Sequence, residues 1–102
     1  MDLVFAAIDI GSNSTNLLIV DQSGQTLERI VRSTRLGANV ATTGALSAES
    51  MQRTLECLSE YESLIKQHKV SRRRTVATAA CRVANNTNQF FAEVKKISGT
   101  EP

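Results

Sequence analysis

Short apolar runs open the chain, and a long helical period follows them. Val4–Ile10 is almost continuously apolar, the pattern of a strand buried on both faces. Gly11-Ser12-Asn13-Ser14 interrupts it with turn-forming residues, and residues 16–21 read as a second strand centred on Leu17-Leu18-Ile19-Val20. Gln22-Ser23-Gly24 is a tight-turn signal, so residues 25–34 are predicted to return as a third, more polar strand nearer a sheet edge. Three strands joined by short turns imply an antiparallel meander.

Residues 36–45 are loop-like, punctuated by Gly37, Asn39 and Gly44. Ser47 then suits an N-cap, with Glu49 in the first turn complementing the helix dipole. Ala48, Met51, Leu55, Leu58 and Ile65 recur at steps of three, four or seven, which predicts one apolar face on a helix over Ala48–Gln67. Glu62 and Lys66 have the spacing of an i,i+4 pair, and Lys66, His68 and Lys69 lie where a helix end favours cations. Residues 75–79 read as a fourth strand. Asn86 with Gln89 resembles a capping box for a last helix, with Phe90, Val94 and Ile97 on one face and Gly99 as its stop. After it the sequence runs to Pro102 with no closing element. Repeats, low-complexity tracts and linkers are missing from the sequence.

A long helix followed by a strand is a crossover, which returns the chain parallel to the first strand. The loops at 9–14, 35–37 and 78–82 are then expected to meet at one sheet edge. In open α/β sheets ligands bind outside the carboxyl ends of parallel strands, so this edge is where chemistry is expected.

Composition narrows the function classes. A chain of 102 residues is one small domain or a piece of a larger protein, and 41% hydrophobic with 22% charged residues is globular composition. A net charge of +2 is too mild to argue for nucleic-acid binding, and four aromatics without Trp make a poor base-stacking platform. Cys57 and Cys81 fit neither a zinc spacing nor a disulfide framework, which points to a reducing compartment. The opening apolar run lacks a basic flank and is too short to span a bilayer, so a cytoplasmic protein without a membrane partner is expected.

Asp9 ends a buried strand beside a polar, glycine-containing turn. Gly11 frees backbone N–H groups to face an anion, and Ser12, Asn13 and Ser14 add side-chain donors, so the turn can cradle a phosphate. The carboxylate beside it can hold Mg²⁺, largely through water. An ordinary hairpin whose aspartate caps the turn is the other reading, and spacing alone favours it. Arg82, following Ala77-Thr78-Ala79-Ala80, can fork onto phosphate oxygens with help from the Thr78 hydroxyl, or be an exposed arginine at a helix start. Arg35 has the same two readings. Lys66, Lys69 and Arg72-Arg73-Arg74 lead into the start of the fourth strand, at the edge away from Asp9, and read as a solvated charge cluster. His68 has no visible partner in sequence, and Cys57 falls beside the apolar stripe.

Four stretches taken together, residues 7–15, Thr34-Arg35-Leu36-Gly37, Gly44-Ala45-Leu46-Ser47 and residues 77–85, strongly resemble the Ppx/GppA family of exopolyphosphatases and guanosine pentaphosphate phosphohydrolases. Order and spacing agree through the whole chain, and this reverses the preference for the ordinary hairpin. The resemblance implies an α/β, ribonuclease H-like fold of the actin-like ATPase and sugar-kinase superfamily. It implies Asp9 at a Mg²⁺ ion and phosphate contacts from Gly11, Ser12, Asn13, Ser14 and Arg82, with Arg35 and Thr78 as further candidates. Polyphosphate or pppGpp would be the substrate, and the full-length protein a homodimer. Many relatives carry Arg where this chain has Asn16. Relatives also continue past a segment like Ser98 to Pro102 into a fifth strand, a Ser-Gly-x-Glu-Glu motif bearing the water-activating glutamate, and a second lobe. The resemblance therefore puts that glutamate beyond Pro102 and no catalytic base within residues 1–102. These residues are expected to be the N-terminal part of a first lobe, inactive alone. An ATP-dependent kinase or ATPase of the same superfamily, and a non-catalytic phosphate-binding module, are the alternatives.

Overall fold

A computed structural model describes residues 3–77, 81, 84–99 and 102. Strands β1 (Val4–Ile10), β2 (Ser14–Asp21) and β3 (Thr26–Ser33) form the expected meander. Helices α1 (Val40–Thr43) and α2 (Ala48–Gln67) lead to β4 (Arg72–Ala77), and α3 (Thr87–Ser98) follows. The sheet order is β3-β2-β1-β4, with β1 antiparallel to β2 and parallel to β4, as a crossover through a helix requires.

Strand β1 and helix α2 have their predicted limits. Strand β2 begins at Ser14, earlier than predicted, because Gly11 N–H bonds Ser14 O at 2.9 Å and closes a two-residue turn directly onto the ladder. Strand β4 begins at Arg72 instead of Thr75. Its three arginines read as a solvated charge cluster, yet they alternate across the sheet. Arg73 is half-buried beneath α2, while Arg72 and Arg74 are exposed. The last two residues of the predicted 75–79 strand, Thr78 among them, and Arg82 lie outside the described residues.

Helix α1 falls in a segment predicted as loop. Four residues carry no readable period, and Gly44 at φ +76° ends the helix, its N–H bonded to Val40 O. Helix α2 starts as expected, with Ser47 Oγ accepting from Ser50 N–H at 3.0 Å. Its buried stripe is rotated from the predicted one. Ser50, Thr54, Cys57, Leu58, Tyr61 and Ile65 face the sheet, Met51 and Leu55 are half-buried, and Ala48 is exposed. Burial of the two hydroxyl residues is tolerated because both are hydrogen-bonded. Thr54 Oγ1 donates to Ser50 O at 2.9 Å, and Ser50 Oγ lies 2.8 Å from Ser47 Oγ.

Two side-chain pairings differ from the sequence reading. Glu62 pairs with Arg73 of β4 at 2.7 Å instead of with Lys66, joining the helix to the sheet beneath it. His68 does have a partner, Glu28 Oε1 at 3.1 Å from Nε2. The predicted capping box at α3 does not form. Asn86 uses its amide to clamp the backbone of Leu46, accepting from its N–H and donating to its C=O, each at 2.8 Å. Gly99 stops the helix in the left-handed conformation at φ +80°. Pro102 is half-buried and belongs to no strand or helix.

Both long helices cover one face of the sheet. Ala6, Ile8, Ile10, Leu17 and Ile19 point into that core against Tyr61, Phe90 and Val94. The opposite face is open: Val31 is 69% exposed, and Leu18 and Val76 are each 39% exposed. No helix among the described residues is long and apolar enough to cross a membrane.

Candidate functional site

Alternation along β1 decides where Asp9 goes. Ile8 and Ile10 are buried under the helices, so Asp9 faces the open side of the sheet. The two-residue turn fixes the register, and Asp9 stands directly opposite Asn16. Extending the pairing outward gives a row Val31–Asn16–Asp9–Val76 across all four strands, with a second row Arg29–Leu18–Ala7–Arg74 beside it. A groove of about 610 Å³ lies over these two rows.

Two acceptors in the groove are left without donors. Asp9 Oδ1 and Asn16 Oδ1 are both shielded from solvent and lack a hydrogen-bond partner. A buried polar atom left unpaired costs about 1–3 kcal/mol. Residues directly opposite in an antiparallel pair have Cβ atoms only about 5 Å apart, so these two acceptors share one small region. An oxygen-seeking cation would satisfy both, and Mg²⁺ is typically held by one or two such groups with water completing its shell.

The turn beyond Asp9 is clasped by the loop after β3. Thr34 and Arg35 N–H groups both bond Asn13 O, at 3.2 and 3.1 Å, and Gly37 N–H bonds Ser12 O at 2.9 Å. In a trans peptide the N–H opposes the preceding C=O, so the N–H groups of Asn13 and Ser14 are turned away from that loop. Two carbonyls are thereby removed from the side an anion would approach. Arg35 adopts φ +52°, a left-handed conformation that is strained for a non-glycine residue. Its side chain is exposed, with no ion pair among the described residues.

Beneath the clasp runs a buried polar network. Thr15 Oγ1 and Thr34 Oγ1 lie 2.8 Å apart, and Tyr61 of α2 donates to Thr15 O at 2.7 Å. Arg53, also on α2, donates from Nε to Thr34 O at 3.0 Å. Burial, with the neighbouring Cys57 thiol second, pushes the Tyr61 phenol well above its ordinary value, which suits a permanent hydrogen-bond donor.

Among the described residues, the structure therefore gathers Asp9, Gly11, Ser12, Asn13, Ser14 and Arg35 at one edge, where the topology predicts loops to meet. The position of Arg74 corrects the sequence reading. It is not at the edge remote from Asp9 but on the same open face, one row away and across one strand boundary. Cys81, the described residue in the 78–82 loop, is buried, and burial pushes its thiol up. Residues that sequence reasoning missed are Asn16 as the partner opposite Asp9, and Thr15, Thr34, Arg53 and Tyr61 as the scaffold below. The turn itself carried the first signal, since closing Gly11 on Ser14 pairs Asp9 with Asn16.

Residues 17–101 match the model of the Ppx/GppA phosphatase family. The chain belongs to this family. Across 99% of its length it superposes on the Aquifex aeolicus Ppx/GppA family member with a TM-score of 0.92 and 36% identity. An exopolyphosphatase-like protein matches 99% of the chain at a TM-score of 0.90 and 34% identity. An exopolyphosphatase from Cytophaga hutchinsonii matches 96% at a TM-score of 0.90 and 27% identity. The Ppx/GppA chain covers 34%, 32% and 32% of these proteins respectively, so it spans about a third of their length. The fold is that of the actin-like ATPases, and the four-stranded sheet with its helices is a partial lobe.

Proposed function

We propose that residues 1–102 form the phosphate- and metal-holding part of a phosphohydrolase that removes terminal phosphate from polyphosphate or pppGpp. The observation that carries the reading is the orphaned Asp9 carboxylate oxygen at the foot of a clasped, glycine-containing turn. Family membership supports phosphatase chemistry in general; the substrates and the metal are our inference.

Asp9, with its unpaired acceptor, would hold Mg²⁺, which when bound neutralises charge on the phosphate oxygens. Gly11, Ser12, Asn13 and Ser14 would orient the terminal phosphoryl group through N–H and side-chain donors. Arg82, Arg35 and Thr78 would complete the contacts, a guanidinium fork matching two phosphate oxygens at once. The reaction is attack of water on phosphorus in line with the departing phosphate, with positioning and charge neutralisation supplying most of the rate. We assign the water-activating base to the part of the relatives' length that follows the position of Pro102.

A chimera tests this reading: residues 1–102 in place of the corresponding third of the Aquifex aeolicus family member, assayed for phosphate release from polyphosphate and from pppGpp. Arg82→Lys keeps the charge and loses the planar fork, so turnover should fall clearly, while Arg72→Ala should leave it near the parent value. Equal losses from both would contradict the assignment.

A further inference from the structure

We propose that Asn16 is a metal-facing residue, its Oδ1 acting with Asp9 Oδ1 as a pair of oxygens that receives a divalent cation on the open face of the sheet. The proposal rests on the metal reading of Asp9 and extends it to the residue that faces it on β2.

Three observations lead there. The two-residue turn closed by Gly11 and Ser14 pins Asp9 opposite Asn16, so the two side chains are neighbours by register. Strand alternation puts both on the face away from the helices, over the groove. Both Oδ1 atoms are shielded from water and unpaired. Six such atoms occur among the described residues, and four belong to Glu62, Arg73 and Thr75 on the helix-covered side. The two in the groove stand on facing residues, so one ligand can bond both. An amide oxygen is a hard, neutral donor of the kind Mg²⁺ and Mn²⁺ accept beside a carboxylate.

The surroundings select the same occupant. Val31 and Val76 flank the pair in its own row and offer no competing donor. Arg29 and Arg74 stand on the outer strands of the adjacent row, without ion pairs among the described residues. Cations placed there oppose a bare metal but favour one that arrives with an anionic phosphate. A metal held by Asp9 and Asn16 would present its remaining positions toward the groove that the arginines border.

The test is Mn²⁺ binding to the 102-residue chain in a fixed concentration of inorganic phosphate, read by loss of the free-Mn²⁺ electron paramagnetic resonance signal relative to the same solution without protein. A second readout is paramagnetic broadening of the Asn16 side-chain NH₂ resonances. The expected result is saturable binding of one ion with broadening at Asn16. Asn16→Ala should weaken the affinity about tenfold, the effect typical of losing a group that supports a metal site. Asn16→Asp, which adds a second carboxylate, should tighten it. Both variants should keep a dispersed amide spectrum, because the side chain stands outside the core. If Asp9→Asn abolishes binding while Asn16→Ala leaves it unchanged, Asp9 holds the metal alone and the proposal falls. If the parent chain shows no saturable Mn²⁺ binding with phosphate present, the metal reading of Asp9 fails as well.

Discussion

The hydroxyls of Thr15 and Thr34 meet 2.8 Å apart inside the core, and they are nearly inaccessible to water. Thr15 follows the turn that carries the candidate phosphate contacts, and Thr34 precedes Arg35. One hydrogen bond thus joins the two loops from below, while the backbone bonds to Ser12 and Asn13 join them at the rim. Tyr61 and Arg53 tie the pair to α2, so the longest helix sets the position of the turn.

Removing the Tyr61 hydroxyl should therefore loosen the site as well as the fold. Tyr61→Phe leaves Thr15 O without its side-chain donor, a loss of about 1–3 kcal/mol in urea unfolding. Hydrogen exchange at Arg35 and Gly37 should speed up in the same variant. Unchanged stability and exchange would show that the network does not support the clasp.

Tyr61 is also the single tyrosine in the sequence, so its ionisation can be followed without interference. Burial, and after it Cys57, raises its pKa above the ordinary value of 10. For a raised value the sign is fixed: the contribution to stability is complete below pH 10 and is lost as pH climbs through the folded-state value. Near-ultraviolet titration of the folded chain should show no phenolate at about pH 10, with ionisation coinciding with unfolding. A normal titration midpoint in folded protein would contradict the buried donor.

The ion pair between Glu62 and Arg73 lies mostly out of solvent, with side chains 14% and 20% exposed. Removing one partner leaves the other uncompensated. Glu62→Ala should cost about 3 kcal/mol, while replacing both by leucine should recover most of that loss. The check is urea unfolding of the two variants. An unaffected Glu62→Ala protein would mean that β4 is held by its backbone ladder alone.

Much of this architecture is legible in the chain. Strong local signals, namely the apolar run of β1, Ser47 as a cap and Gly99 as a stop, match the structure because short-range physics determines them. Glu62 is different, since its partner lies on another element and helical spacing could only suggest Lys66. Ser50 and Thr54 were invisible as core residues because their polarity is cancelled by hydrogen bonds that only the packed state provides. The arginines of β4 hid a strand, for composition suggested solvation while alternation half-buried one of them. At the site, the meeting of the 9–14 and 35–37 loops followed from topology. The facing of Asp9 by Asn16 required the register, which depends on a turn of two residues.

The most direct test of the central claim is the Asp9→Asn substitution in the chimera. Asparagine keeps the shape and removes the charge, so the fold should persist while the metal is lost. Phosphate release from polyphosphate or pppGpp at saturating Mg²⁺ is predicted to drop by at least about 100-fold, with the circular dichroism spectrum unchanged. Turnover close to that of the parent chimera under the same conditions would contradict a metal-holding role for Asp9.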